Sequence, residues 1–335
     1  MSELLVEVWR GQMVESLHRG DVAVVDSHGN LLYYAGDPQR VTYARSSAKP
    51  LQALPMVESG AVDSFHMTDE EIALACASHS GEEQHVLRIL AFLSRIGIPP
   101  EKLRCGTHAP YSQPAFELLL KRGEEYTAIH NNCSGKHSGM LAFAKFLNAD
   151  LDSYLLLEHP IQQRILQVVS EMSEVNKDQI ELGVDGCGVP VFGLPVQNLA
   201  LAFAKLADPS ELQPDRATAV RRIVTAMMKY PHLVAGTERF CTGLMEAGQG
   251  QVLGKAGAEG VYCAGIPAEG IGICVKVDDG NSRAAYPVVV ETLRQLSLVS
   301  EEALAALEGF RNPILQNHQG TVVGELKPVF TLHKA

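Results

Sequence analysis

The chain contains no uninterrupted apolar stretch approaching the ~20 residues of a membrane-crossing helix, so no membrane partner is expected. It also lacks any run of Lys or Arg. With a formal net charge of −11, that argues against nucleic acid or an anionic lipid surface as partner. Residues 1–7 are acidic and have neither the basic start nor the apolar centre of an export signal. The seven cysteines are odd in number and scattered, which is no disulfide framework, and a reducing cytoplasm is the expected location. There is no double Cys-x-x-Cys pattern, no internal repeat, no low-complexity tract and no Ser/Gly linker.

What is present is a 335-residue chain with 46% hydrophobic and 20% charged residues, enough for a substantial core. Residues 4–8, 14–18, 22–26, 31–35 and 41–44 read as short strands, with a turn at Ser27-His28-Gly29-Asn30. Helical patterns follow at 51–59, 72–77, 82–96, 114–122, 134–147, 160–172, 196–206 and 216–229. Thr68 and Glu71 form a candidate capping box ahead of the second of these. Strands return at 252–255, 260–263 and 271–277, then helices at 282–298 and 301–310 and a last strand near 322–326. The expectation is an α+β fold: one sheet built from both termini, helices packed on it, and a central helical region. The chain reads as a single catalytic unit, 1–335, with a sheet part of about 1–45 and 250–335 and a helical part of about 46–249.

Chemistry concentrates first where strand gives way to helix, in Arg45-Ser46-Ser47-Ala48-Lys49-Pro50. Ser46 and Lys49 stand three residues apart, which places both on one face of a helical turn. A hydroxyl becomes a nucleophile when a neighbouring base takes its proton, and a lysine can be that base only if it is neutral. Free lysine titrates near ~10.4, so a drop of about three units means roughly 4 kcal/mol of differential stabilisation. The bland alternative is a capping serine followed by a solvated lysine.

Four further stretches carry candidate chemistry. Ala77-Ser78-His79-Ser80-Gly81-Glu82 is a small, polar loop where a ligand can approach the backbone, or where a serine merely caps the next helix. His130-Asn131-Asn132-Cys133-Ser134-Gly135-Lys136-His137 is dense in polar groups and runs straight into an apolar helix. Its asparagines can donate to a carbonyl oxygen or accept from an ammonium. Asp185-Gly186-Cys187-Gly188 is a glycine-rich loop, and Cys133, Cys187 and either Lys136 or His137 could make a metal site open to one water. Two buried free thiols are the plainer reading. Lys255-Ala256-Gly257 lies on a returning strand, where Gly257 lets substrate lie along the backbone.

These five stretches together resemble the Rhizobium-etli-type L-asparaginases, the asparaginase II family, which is similar in fold to serine β-lactamases, penicillin-binding proteins and serine glutaminases. The resemblance spans most of the chain. It implies hydrolysis of the side-chain amide of L-asparagine to L-aspartate and ammonia by two serine–lysine pairs, Ser46 with Lys49 and Ser78 with Lys255. It also implies a zinc ion near Cys133, Lys136 and Cys187 that helps hold substrate, and a homodimer. The penicillin-binding relatives carry Thr or Ser where this chain has Ala256, so β-lactam chemistry is not implied.

On this reading Ser46 attacks the amide carbonyl and Lys49 accepts its proton, while Ser78 and Lys255 serve the departing ammonia or the deacylating water. Arg45 is the candidate for the substrate's α-carboxylate, Asp185 for its α-ammonium, and Asn132 and His79 are further candidate contacts. The rivals are a glutaminase of the same fold, a zinc hydrolase in which the metal activates water, and an amino-acid binding protein without catalysis.

Overall fold

The computed structural model describes all residues, Met1–Ala335. In chain order its strands are β1 (Glu3–Arg10), β2 (Met13–Asp26), β3 (Leu31–Ala35), β4 (Val41–Tyr43), β5 (Glu181–Val184), β6 (Pro190–Pro195), β7 (Leu253–Ala256), β8 (Val261–Ile266), β9 (Ile271–Val277), β10 (Ile314–Gln316), β11 (Val322–Pro328) and β12 (His333–Lys334). The longer helices are α1 (Lys49–Glu58), α2 (Asp69–Ala75), α3 (Glu83–Arg95), α4 (Gln113–Arg122), α5 (Ser134–Phe146), α6 (Pro160–Ser173), α7 (Val196–Ala207), α8 (Pro214–Lys229), α9 (Phe240–Gly248) and α10 (Ser282–Gln295). Sheet strands come from both ends of the sequence and most helices from its middle, the expected α+β layout. No helix is long and apolar enough to cross a membrane.

Two compact units emerge. The first comprises residues 1–47, 193–208 and 243–335. Its sheet runs β10-β11-β1-β2-β9-β8-β7, with β3 between β2 and β12. The pairings given by register are antiparallel throughout. β2 is one continuous strand where the sequence suggested two. The interruption, Arg19-Gly20-Asp21, reads as a turn because it is polar, yet Asp21 is fully buried. Its carboxylate is satisfied by Arg40 at 3.0 Å and the Asp37 amide at 2.8 Å, which removes the cost of burying the charge. Helix α7 lies on β9 so closely that a Cβ on Gly272 would sit 1.9 Å from the Ala200 carbonyl oxygen.

The second unit comprises residues 48–192 and 209–242. Every residue of α1 from Lys49 to Val57 is buried, the pattern of a helix surrounded on all sides. The capping box at α2 forms as expected: the Thr68 amide donates to the Glu71 carboxylate at 2.9 Å, and the Glu71 amide to the Thr68 hydroxyl at 3.3 Å. Gly135 and Gly139 let α5 approach α2, since a Cβ on Gly135 would fall 2.3 Å from the Leu74 oxygen. A hairpin the sequence did not suggest, β5–β6, holds 185–189 as its turn, closed by bonds from Asp185 N–H to Val189 O and from Gly188 N–H to Asp185 O.

Two imidazoles, His79 and His85, stack inside this unit at 4.9 Å, and neither is exposed. In each, Nδ1 accepts a backbone N–H, from Gly81 and Glu82 respectively. Nε2 therefore carries the proton and donates, to Ser134 Oγ and to the His232 carbonyl. Burial pulls both below the ordinary histidine value of 6.5, helped at His79 by neighbouring positive charges and opposed at His85 by the His232 carbonyl and the Glu82 carboxylate.

Two outcomes follow from this packing. Gly272→Ala is expected to lower stability by about 3 kcal/mol or more in urea unfolding. Gly309→Ala, at a position with open space around it, should stay within about 0.5 kcal/mol. Below pH 6.5 the unfolded chain takes up protons that the two stacked histidines refuse, so stability should fall with pH. The slope is up to about 1.4 kcal/mol per group per pH unit. A urea midpoint unchanged between pH 7.5 and 5.5 would contradict that account.

Candidate active site

Ser46 sits in a short 3₁₀ turn, Arg45–Ala48, that runs directly into α1, whose first residue is Lys49. Within the sheet unit, Ser47 is buried and its hydroxyl donates to the Ala44 oxygen at 2.7 Å, closing the turn. Arg45 has φ +51°, the left-handed region that a non-glycine residue rarely enters. Strand β7 ends beside this turn: a Cβ on Gly257 would lie 2.8 Å from the Ala44 oxygen. The Lys-Ala-Gly strand and the serine turn are thus packed together, which explains why position 257 must be glycine. Lys255 is 1% exposed, and its Nζ donates to the Ala256 oxygen at 2.8 Å. Arg45 faces Glu259 at 3.8 Å across the same turn region.

In the helical unit Lys49 is also 1% exposed. Its Nζ reaches the Ala77 oxygen at 2.6 Å, Ser78 Oγ at 2.9 Å and Cys133 Sγ at 3.1 Å. As an ammonium it donates to all three. As a neutral amine it can turn its lone pair to the Ser78 hydroxyl proton. The Ser78 backbone is fixed by its N–H to the Val234 oxygen at 2.9 Å.

The thiols come next. Cys133 and Cys187 are both buried and hydrogen-bonded to one another. That bond, helped by the charges of Lys49 and Lys136, holds Cys133 well below the usual thiol range. The same bond, together with burial, pushes Cys187 up. Lys136 Nζ lies 2.9 Å from Cys187 Sγ. Burial works against its charge, but the sulfur pair outweighs burial and raises its pKa. Between Lys136 and His137, the lysine is therefore the one that meets the thiols. His137 turns away, its Nδ1 hydrogen-bonded with the Tyr154 hydroxyl at 2.7 Å. No group of three or more His, Cys, Asp or Glu side chains is arranged to hold a metal; this cluster offers two thiols and an amine.

The other candidates are placed as follows. Asn131 is structural, its amide donating to the Cys105 and Gly106 oxygens and its carbonyl accepting the Cys133 N–H. Asn132 Oδ1 stands 3.1 Å from His108 Nε2 and 3.5 Å from Cys133 Sγ. His79 adjoins Ser78 but spends both ring nitrogens on Gly81 and Ser134. Asp185, half-buried in the β5–β6 turn, contributes to the charge around Lys136.

One segment escaped the sequence reading. Residues 234–239 wall the Ser78 loop: the Ala235 oxygen accepts the Ser80 hydroxyl at 2.9 Å, and Thr237 binds the Glu82 carboxylate through N–H and hydroxyl at 2.8 and 3.0 Å. Gly236, at φ +124°, leaves room for Ser80, whose Oγ would be 2.4 Å from a Cβ there. The available signal was the small-residue run Ala235-Gly236-Thr237 between two apolar patterns.

Comparison with known proteins adds to this geometry. Among solved structures the chain is similar to Mglu, at 15% identity over 84% of this chain and 67% of that one, with a TM-score of 0.44. A β-lactamase from Mycobacterium bovis gives 14%, 87%, 95% and 0.42, and the D-alanine carboxypeptidase AmpC from Burkholderia cenocepacia gives 14%, 87%, 93% and 0.37. The chain spans 60 to 67% of the length of the Mglu chains it matches. Likenesses this distant carry no conclusion about activity. No curated protein sequence matches the chain. The sequence pattern of the L-asparaginase II family, however, matches residues 6–328 and so takes in the serine turn, the lysine–thiol cluster and the Lys-Ala-Gly strand alike: the chain belongs to that family and is an amidohydrolase.

Proposed function

We propose that this amidohydrolase cleaves the side-chain amide of free L-asparagine to L-aspartate and ammonia. The observation that carries the reading is a buried lysine amine 2.9 Å from a serine hydroxyl, Lys49 on Ser78. In the proposed mechanism Ser46 attacks the amide carbonyl and Lys49 accepts its proton, while Ser78 and Lys255 serve the departing ammonia and the water that then hydrolyses the acyl-enzyme. The Lys49–Ser78 contact also supports a second reading in which Ser78 itself attacks. Arg45 takes the α-carboxylate, Asp185 the α-ammonium, and Asn132 the amide. Pairing both ends of a small zwitterion disfavours peptide amides, whereas the added methylene of glutamine is discriminated less.

Cys133, Lys136 and Cys187 are the residues that would hold a zinc ion: Cys133 is already held toward its ionised form, while Lys136 and Cys187, both held toward their protonated forms, would each have to give up a proton to bind it. When bound, such an ion would polarise a substrate oxygen as a Lewis acid. A homodimer and a cytoplasmic setting complete the proposal; seven buried cysteines suit a reducing compartment.

Ammonia release decides the matter. Wild type should show a higher kcat/KM for asparagine than for glutamine, and Ser46→Ala and Ser78→Ala should each lose about 10²-fold or more. Wild-type rates in both variants would refute the serine mechanism. Chelation followed by metal analysis should raise KM more than it lowers kcat. Abolished turnover on chelation, with Ser46→Ala largely active, would instead favour metal-activated water.

A further inference from the structure

The turn joining β7 to β8 is built with unusual care around one acidic side chain. Glu259 has φ +60°, so it shares with Arg45 the left-handed backbone that non-glycine residues avoid. Its carbonyl oxygen accepts a hydrogen bond from Lys276 Nζ at 2.7 Å. Gly280 leaves space for its carboxylate, which would be 2.7 Å from a Cβ at that position. Gly257, two residues earlier, holds this end of the strand against the Ala44 oxygen. The outcome is a carboxylate 3.8 Å from the Arg45 guanidinium, with the acid 68% and the arginine 25% exposed.

A pair this long and this wet is weak. A free α-carboxylate can approach a guanidinium with two parallel hydrogen bonds, which is the stronger arrangement. The displaced glutamate, already mostly in water, loses little by turning to solvent.

We propose that Glu259 is a specificity-determining residue: its carboxylate stands in for the substrate's α-carboxylate on Arg45 in the free enzyme and yields that place on binding. The inference rests on the reading of Arg45 as the carboxylate partner. It explains why two strained residues are held face to face beside the serine turn. It also keeps a negative charge near Arg45 that disfavours ligands with a surplus carboxylate, the product L-aspartate among them.

The test is steady-state ammonia release by wild type, Glu259→Gln and Arg45→Ala, with thermal melting of each. Removing the competing charge should lower the KM for asparagine about three- to fivefold in Glu259→Gln, with kcat within about twofold. The difference should shrink in 0.5 M salt, which screens the exposed pair in wild type. Inhibition by L-aspartate should tighten in the variant. An unchanged KM would show that Glu259 is a bystander. A raised KM would show that it props Arg45 in place instead of occupying its site. Should Glu259→Gln melt early, Glu259→Gly keeps the left-handed backbone and removes the same charge, with the same expected KM. Arg45→Ala with wild-type KM would remove the carboxylate reading while leaving asparagine hydrolysis intact. A wild type that neither binds nor hydrolyses asparagine would overturn the functional proposal and this inference with it.

Discussion

A lysine amine with almost no water around it must find its partners in the protein, and Lys49 sets that requirement for the helical unit. An ammonium moved into a protein interior costs several kcal/mol unless it is surrounded by acceptors. Here a backbone oxygen, a hydroxyl and a sulfur supply them. Lys136, equally buried, needs the second sulfur. Two amines and two thiols thus form one mutually dependent cluster, in which ionising Cys133 offsets part of whatever positive charge the amines carry. The surrounding sequence serves it: Gly135 allows α5 to reach α2, and Gly236 gives the Ser78–Glu82 loop room to lie flat.

The sheet unit solves its own version of the problem. Lys255 is buried at the end of β7, and the turn carrying Ser46 is pressed against that strand through Ala44 and Gly257. Asp21, in the middle of β2, is a buried acid neutralised by Arg40. Each unit accordingly holds polar groups in its interior by local satisfaction, and the candidate catalytic side chains are among them.

Much of this was legible in the residues. The α+β layout followed from period-2 and period-3.6 patterns changing over near positions 45 and 250. The Thr68 cap followed from a local rule that tertiary packing leaves alone. Other features depend on distant partners and were not legible. The Arg19-Gly20-Asp21 segment looks like a turn until Arg40 is brought to it. The β5–β6 hairpin surrounds a glycine-rich turn in a region otherwise patterned as helix. The choice of Lys136 over His137 depends on Tyr154 claiming the imidazole, and helical spacing alone treats the two as equals. The 234–239 wall has no catalytic residue type to announce it; its role arises from backbone groups and the Thr237 and Arg239 side chains.

The register of β2 against β9 has a consequence for how the protein is made. Val25 pairs with Gly272 and Gly20 with Val277, so the central strand waits for a neighbour on the order of 250 residues later. At about 5–20 residues per second of translation, the hydrophobic N-terminal hairpin leaves the ribosome tens of seconds before its partner exists. During that interval the apolar edge at Val22–Val25 has to be shielded by something other than its native sheet. The rate at which ribosomes traverse the middle of the message, and the chaperones present as they do, therefore bear on how much enzyme a cell obtains.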